Sequence, residues 1–434
     1  MWLAIAGLAV VVELVLLAVW QRNGYWDFSD GVYLLSGREF LHGLVPYRDF
    51  AAAQPPPVYL VGAGLLWVDD GLAAARAGLG VVNLITAVLV GVAVWRLSRQ
   101  RALVVIAVLA TSLLPISLHE HAQLIPETLA APLLLGGALL STRRDRTWLC
   151  ALLVALACAC KLAFVLPALA IVVASPWRRR LVVAFVVVGL VLGGVSLLAF
   201  GTSEWREAVT AQLQTGHATV HYAGGLIVQG AWNELPLVLL AAVAVWYAWR
   251  RDALVRDAAL IGPVAAAAGA GLVLALTVFK RGSYIDVLIV AEPPLLALAV
   301  CGAGWLWQRA RRARPVVVLI GAWLAVQSLS ILVSPSDPWA AKRPGAASGL
   351  AWTAAPSTVD HLVKSAQACP AKQAYPGVPF IAFLAGRRLP GDQPDTFMIQ
   401  HATANATFAH RAAADTPTCP APAASETDTN PPPG

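Results

Sequence analysis

The sequence predicts an all-α integral membrane protein with about eleven transmembrane helices. Two observations come from composition: 58% of the 434 residues are hydrophobic and only 13% are charged. A soluble chain carries roughly 25% charged residues, so charge is strongly depleted here. The third observation is that the apolar residues lie in long uncharged runs, many of which approach the ~20 residues that a bilayer requires.

The apolar runs predict the individual spans. They cover 1–20, 77–95, 102–118, 124–141, 181–200, 235–248, 258–279, 284–305 and 315–333. The first run has no basic flank or cleavage site, so we expect an uncleaved helix in which Glu13 faces the bundle interior or is protonated. The run 148–177 is too long for one span and too short for two regular ones, and we predict a hairpin of short helices with its tip near Lys161.

Arginine placement predicts the topology. The net charge of +7 could suggest a nucleic-acid partner, but the arginines fall in clusters between the apolar runs, which is the positive-inside pattern. With the hairpin, all clusters lie on the cytoplasmic side, the N-terminus is cytoplasmic and the C-terminus extracytoplasmic. High alanine, valine and glycine content, with arginine preferred over lysine, indicates a GC-rich bacterial genome, and we expect the protein in the inner or plasma membrane of the cell. The clusters are Arg96/Arg99/Arg101, Arg143/Arg144/Arg146, Arg178/Arg179/Arg180, Arg250/Arg251/Arg256 and Arg309/Arg311/Arg312/Arg314.

This topology divides the chain into three parts. Residues 1–333 form the transmembrane domain, with a first external loop at 21–76 and a second external segment at 201–234. A small extracytoplasmic region follows at 334–410, and a Pro/Ala/Thr-rich tail at 411–434 is predicted to be disordered. In the first loop, the run from Pro55 to Trp67 is too short to span and predicts an interfacial helix.

The first external loop holds the best candidates for chemistry. Asp27 and Asp30 lie among aromatic residues and are three apart, so on a helical turn they would face the same way. The loop resembles that of the polytopic C-type (GT-C) glycosyltransferases, closest to the protein mannosyltransferase and aminoarabinose transferase branch. The residues that carry this resemblance are Asp30, Gly43, Pro46, Tyr47, Arg48, Asp49, Phe50, Pro56, Pro57, Tyr59 and Leu60, with weaker matches at Ala75-Arg76, Glu127, Lys161, Lys280-Arg281-Gly282-Ser283 and Glu292-Pro293.

The resemblance covers roughly residues 1–300 and implies an inverting transfer of sugar from a polyprenyl-phosphate carrier on the outer face of the membrane. It carries the catalytic acid over to Asp30. In many relatives a second acid follows directly, but here that position is Gly31. Either Asp27 supplies the second carboxylate or the chain has lost activity. The expected acceptor is a cell-envelope polysaccharide, lipid or protein.

Two lysines stand out because they are the only ones in residues 1–333. Lys161 and Lys280 both fall at the predicted external face, and Arg281 adjoins the second. Their side chains could simply snorkel to lipid headgroups. Alternatively they form a cradle for the phosphate of the lipid carrier, and glycosyl transfer needs such cations to stabilise the leaving group.

Four further residues enter the predicted substrate-binding set through the resemblance: Tyr47, Arg48, Asp49 and Glu127. We also expect Asp49 to pair with arginine and shape its turn. His119 and His121 could chelate a metal ion, but no third ligand is evident. His217 and His221 could face an acceptor on a helix. The polarity of a loop explains both pairs as well. No metal site and no cofactor are predicted.

Cysteine placement predicts one disulfide. Cys369 and Cys419 are the only cysteines outside the apolar runs, and the topology exposes both to an oxidising compartment. For function, the resemblance implies a membrane glycosyltransferase with a polyprenyl-phosphate sugar donor. A lipid or solute transporter is the alternative from another class, although no duplicated half is visible. A non-catalytic membrane assembly subunit is the third reading.

Overall fold

The computed structural model of the chain describes residues 2–23, 28–250, 258–280, 285–333, 356–370, 373–401, 405–415 and 419. Within these ranges the chain is built from helices and connecting segments, without a β-strand. The predicted all-α class is confirmed.

The helices follow the order that the apolar runs predict. The first half of the chain contains α1 (Trp2–Asn23), α2 (Phe28–Leu41), α3 (Pro57–Val68), α4 (Leu72–Ser98), α5 (Arg101–Thr111), α6 (Pro115–His119), α7 (Pro126–Leu140), α8 (Thr147–Cys160) and α9 (Val165–Ala174). The second half contains α10 (Arg178–Phe200), α11 (Thr202–Trp205), α12 (Gln212–Gln214), α13 (Val220–Arg250), α14 (Ala258–Thr277), α15 (Glu292–Arg309) and α16 (Arg314–Val333). The C-terminal region, residues 356–419, contains α17 (Pro356–Ala368), α18 (Pro379–Ala385), α19 (Thr396–His401) and α20 (Ala406–Ala414).

Each predicted span contains a helix, but the bounds differ at three places. The run 284–305 begins with the 3₁₀ helix Ile285–Val290, and α15 starts only at Glu292. Helix α13 begins at Val220, within the predicted external segment 201–234. The run 102–118 is divided, because α5 ends at Thr111 and Pro115, which lacks a backbone N–H, begins the short α6. Five helical segments in the described ranges are long and apolar enough to cross a membrane: Leu72–Ser98, Arg178–Phe200, Val220–Arg250, Leu260–Thr277 and Arg311–Leu332. The chain is therefore a multi-pass membrane protein, and the number of eleven spans stays a prediction.

The run 148–177 folds back on itself as predicted. Helix α8 ends at Cys160, Lys161 adopts an extended conformation, and α9 follows after one 3₁₀ turn. At the other end of the two arms, the Ser175 hydroxyl donates to the Ser141 carbonyl at 2.5 Å. The Trp177 indole donates to the Thr142 carbonyl at 3.1 Å. These bonds place the end of the segment beside the short connection that leads from α7 into α8, with Lys161 at the tip of the hairpin.

The arginines of the predicted clusters that the structure describes lie at the same end of the bundle. Arg96 donates to the Leu139 carbonyl at 2.7 Å, which brings the first cluster to the end of α7. Gln308 donates to Gln100 at 2.7 Å, which joins the last cluster to the first. The Arg309 guanidinium lies over the ring of Tyr247, 5.3 Å from its centroid, which places the last cluster beside the end of α13. This arrangement is the one that the hairpin topology requires.

The acid in the first span faces the bundle interior. Glu13 is buried, and its carboxylate accepts a hydrogen bond from Ser112 at 3.2 Å and from Asn83 at 3.3 Å. The His121 ring lies 3.2 Å from the same carboxylate. Polar partners therefore shelter this side chain from lipid.

The C-terminal region packs on the first loop. Phe380 and Phe383 of α18 belong to the same hydrophobic core as Tyr33 of α2 and Tyr59 of α3. A disulfide joins Cys369 and Cys419, whose Cα atoms are 5.7 Å apart. Helix α20 continues to Ala414, past the predicted start of the disordered tail at 411, and residues 420–434 lie outside the described residues.

Candidate functional site

A cavity of about 330 Å³ lies between the first loop, the hairpin tip, the segments around α12 and α14, and the C-terminal region. We call it the central cavity. It combines two lysines with three acids and an apolar wall. Its lining consists of Ser29, Val32, Tyr33, Ala53, Gln54, Pro126, Glu127, Lys161, Leu162, Ala163, Ala208, Val209, Gln212, Leu213, Thr277, Lys280, Asp286, Val287, Asp395 and Met398.

Lys161 and Glu127 form an ion pair on one side of the central cavity. The lysine is placed there because the hairpin turns at this residue, and the glutamate because α7 begins with Pro126. The Glu127 carboxylate is buried, whereas 27% of the Lys161 side chain is exposed. The Lys161 ammonium group is thus the more accessible member of the pair, and the buried Glu127 carboxylate holds it in position.

Lys280 faces the same space from the end of α14. Its ammonium group donates to the Gln212 side chain at 2.6 Å, and Gln212 in turn donates to the Ala53 carbonyl of the first loop at 2.9 Å. The Ala218 N–H donates to the Phe279 carbonyl at 2.7 Å and holds the lysine segment in place. Burial, reinforced by the positive charge of Lys161, lowers the pKa of Lys280 to about 8.

Two acids complete the cavity, and neither was predicted. Asp286 follows Lys280 in the connecting segment, a proximity that the sequence could have indicated. Asp395 comes from the C-terminal region, just before α19, and no local signal marks it. Its Oδ1 atom accepts a hydrogen bond from the Met398 N–H at 2.9 Å. Burial raises the pKa of Asp395 to about 6, opposed by that bond and by the charge of Lys280.

Asp30, the predicted catalytic acid, lies behind the cavity wall. Its side chain is fully buried; one oxygen accepts from Arg76 and the other from the Leu124 N–H, both at 2.7 Å. Burial raises the pKa of Asp30, and the Arg76 charge opposes that rise. Its neighbours Ser29 and Tyr33 line the central cavity, but Asp30 is not among the lining residues. Its catalytic role stays a prediction, and its contacts also give it a structural one.

The glycine after Asp30 has a steric reason. A Cβ atom on Gly31 would lie 2.5 Å from the backbone nitrogen of Phe380 and 2.7 Å from the Cβ of that residue. The C-terminal region thus occupies the space into which a second acid would project. Two other predicted site residues, Asp27 and Arg281, lie outside the described residues.

The residues Tyr47, Arg48 and Asp49 shape the first loop and do not line the central cavity. Tyr47 has a positive φ of 68°, and its hydroxyl donates to the Gln54 carbonyl at 2.6 Å. Asp49 accepts from Arg48 and from the Val45 N–H, both at 2.8 Å, and the bond from Arg48 lowers the pKa of Asp49. The expected pairing of Asp49 with arginine is present, and the geometry favours a loop-shaping role over the predicted substrate binding.

The candidate histidines take part in local contacts. His119 lies 2.7 Å from Glu120, and His121 approaches Glu13. The backbone of His217 pairs with that of Lys280 in an isolated bridge. Within the described ranges, no group of three or more His, Cys, Asp or Glu side chains could hold a metal ion.

Comparison with known proteins identifies the fold. The structure of ArnT from Cupriavidus metallidurans bound to undecaprenyl phosphate matches with a TM-score of 0.62 over 92% of this chain and 87% of that one. The chain has the fold of ArnT. The apo structure of ArnT matches with a TM-score of 0.61 over 92% of this chain and 89% of that one, and identity is 16% in both comparisons. No family model matches the chain, and no curated protein matches it in sequence. The resemblance to the GT-C enzymes is thereby confirmed at the level of the fold.

Proposed function

We propose that this protein transfers a sugar from a polyprenyl-phosphate carrier to a hydroxyl acceptor outside the cytoplasm, with inversion at the anomeric carbon. One observation carries the proposal: the only two lysines in residues 1–333 line the same cavity. The ArnT fold adds support, since its structure has been determined with undecaprenyl phosphate bound. The cavity volume of about 330 Å³ lies at the lower end of the range for small-molecule sites.

The cavity contains the groups that such a transfer requires. The acceptor oxygen attacks the anomeric carbon, the bond from that carbon to the phosphate oxygen breaks, and a carboxylate takes the acceptor proton. The two ammonium groups stabilise the negative charge that develops on the leaving phosphate. Glu127, Asp286 and Asp395 are the carboxylates that line the cavity, with Asp30 one layer behind them.

Binding of undecaprenyl phosphate tests the phosphate site. Lys161→Met and Lys280→Met keep an apolar stem and remove the charge. Each should lose a charge-assisted contact of about 1.5–3 kcal/mol, which corresponds to roughly 10- to 150-fold weaker binding. Lys364→Met is the matched control, since Lys364 is exposed on α17 in the C-terminal region. Its affinity should equal that of the wild type.

Lys161→Met also leaves the Glu127 carboxylate buried without its partner, so a second variant is needed. The double variant Lys161→Met/Glu127→Gln removes both charges and should bind the lipid phosphate as weakly as the single variant. Wild-type affinity in the double variant and in Lys280→Met would refute the phosphate site. Tight binding without transfer from undecaprenyl-phosphate mannose or aminoarabinose would favour the transporter or the assembly subunit.

A further inference from the structure

The C-terminal region forms a fixed wall of the central cavity. The Gln393 side chain accepts from the Ala51 N–H at 2.9 Å and donates to the Asp49 carbonyl at 3.1 Å. Arg411 donates to the same Asp49 carbonyl at 3.1 Å. These bonds connect the C-terminal region to the backbone of the first loop, so its position follows from the fold of both segments.

A second set of contacts fixes the same wall beside Asp30. Arg38 of α2 donates to the Phe383 carbonyl at 2.7 Å, and its guanidinium lies 4.1 Å from the centroid of the Phe383 ring. Phe380 fills the space above Gly31. The same docking that excludes an acid from position 31 therefore brings another acid, Asp395, into the cavity.

Asp395 and Asp286 are the two cavity acids whose carboxylates each accept one hydrogen bond from a backbone N–H. In Asp395, Oδ1 accepts from the Met398 N–H, and within the described ranges Oδ2 accepts no hydrogen bond. By contrast, one Glu127 oxygen is paired with Lys161, and the other is enclosed away from the cavity space. Asp286 accepts from the Val287 N–H at 2.9 Å and lies in the electrostatic field of the Glu127–Lys161 ion pair. The charge that acts on Asp395 is that of Lys280, so Asp395 is the cavity acid outside the field of that ion pair.

We propose that Asp395 is the general base of the transfer, an inference that rests on the proposed function. Its Oδ2 takes the proton of the acceptor hydroxyl while the acceptor oxygen bonds to the anomeric carbon. The bond from that carbon to the phosphate oxygen breaks, and the electron pair leaves with the polyprenyl phosphate, which the two lysines hold. The proton is then released from Asp395 to water, so the reaction needs no further reactant.

Among the described residues, four titratable groups on the surrounding elements interact electrostatically with Asp395: Lys280, Glu207, Tyr33 and Tyr59. A base must be ionised, so the rate of transfer should rise with pH through the pKa of Asp395, about 6. The pKa of Glu207 is also raised, to about 7, by burial, so Glu207 could imitate this profile, as could the cavity acid Asp286. Glu207→Gln and Asp286→Asn therefore both belong in the test.

The test is single-turnover transfer with saturating donor, which separates the chemical step from binding. The full-length protein is assayed in membranes prepared from the cells that express it, with radiolabelled undecaprenyl-phosphate mannose or undecaprenyl-phosphate aminoarabinose as donor. The release of undecaprenyl phosphate is measured from about pH 5 to about pH 8. Asp395→Asn should lower the rate by about 10²–10⁴-fold and abolish the rise near pH 6. Asp392→Asn is the matched control, because Asp392 lies in the same region outside the cavity lining, and its rate should equal that of the wild type.

Binding of undecaprenyl phosphate and thermal unfolding are measured on the same samples. Wild-type binding and stability in Asp395→Asn, with the rate and the pH limb lost, support the proposal. Three outcomes would each overturn it: a wild-type rate in Asp395→Asn, a loss of lipid binding equal to the loss of rate, or a rise of the rate with pH that survives in Asp395→Asn but disappears in Glu207→Gln or Asp286→Asn. Absence of transfer by the wild-type protein, with the lipid bound, would instead refute the proposed function.

Discussion

The backbone nitrogen of Phe380 lies 2.5 Å from the position that a Cβ atom would take on Gly31. Both residues are fixed, Gly31 inside α2 and Phe380 in the buried core of α18. A side chain at position 31 is thus incompatible with the docked C-terminal region.

Substitution of Gly31 should loosen the C-terminal region. Gly31→Ala and Gly31→Asp force α18 to move, and overpacking of this kind typically costs about 1–3 kcal/mol. Thermal unfolding and trypsin cleavage at Arg387 or Arg388 measure the effect. Gly64→Ala in α3 is the matched control, because no atom lies within 4 Å of its added Cβ, and helix propensity predicts neutral or slightly higher stability there. Equal cleavage of Gly31→Asp and the wild type would contradict the observed docking.

The buried pair of Asp30 and Arg76 gives a prediction that separates structure from catalysis. Asp30→Asn leaves Arg76 buried without a charge partner, which typically costs about 3–5 kcal/mol, and Arg76→Met should cost a similar amount. The two effects should not add in the double variant, because each removes the same interaction. Thermal unfolding in detergent provides the measurement. If Asp30→Asn keeps wild-type stability but loses the chemical step, Asp30 rather than Asp395 is the general base.

The disulfide should stabilise the C-terminal region. Cys369 and Cys419 are separated by 50 residues, and the chain-entropy view gives roughly 4 kcal/mol for a loop of that length. Cys369→Ser/Cys419→Ser should therefore accelerate trypsin cleavage at Arg387 and Arg388, and reduction of the wild type should do the same. Cys301→Ser is the control, since that thiol is free and lies in the bundle. Two free thiols by mass spectrometry of the native protein would exclude the bond.

Binding of the lipid phosphate should weaken at high pH. The pKa of Lys280 is lowered to about 8, so its positive charge is present below that pH and is lost as the pH rises through it. Affinity for undecaprenyl phosphate should fall between about pH 7 and about pH 9.5, a range above the second pKa of a phosphate, about 6. Lys280→Arg keeps its charge throughout and should remove the fall. An identical profile in both proteins would show that another group titrates.

The orientation of the chain can be tested with fusions. A reporter active only outside the cytoplasm should be active after Ser334 and inactive after Arg146 or Arg180, because positive clusters stay on the cytoplasmic side. Expression of each fusion is checked by immunoblot. Activity after Arg180 would reverse the topology downstream of the hairpin.

The sequence by itself determined the membrane bundle, the hairpin at Lys161 and the pairing of cysteines. Hydropathy, positive charge and cysteine placement are local or compositional properties, so they can be read without knowing which segments meet. The prediction that the two lysines form a phosphate site follows in the same way, since lysine is rare in residues 1–333.

Only the tertiary structure decided which acids reach the cavity. Asp30 matches the pattern of a catalytic residue, yet Arg76 and the Leu124 N–H engage both of its oxygens behind the wall. Asp395 matches no pattern and enters the cavity because the C-terminal region docks on Gly31. The surroundings of a carboxylate determine whether it forms an ion pair, changes its protonation state or contacts a substrate. Those surroundings come from segments that are far apart along the chain, so no local spacing of residues encodes them.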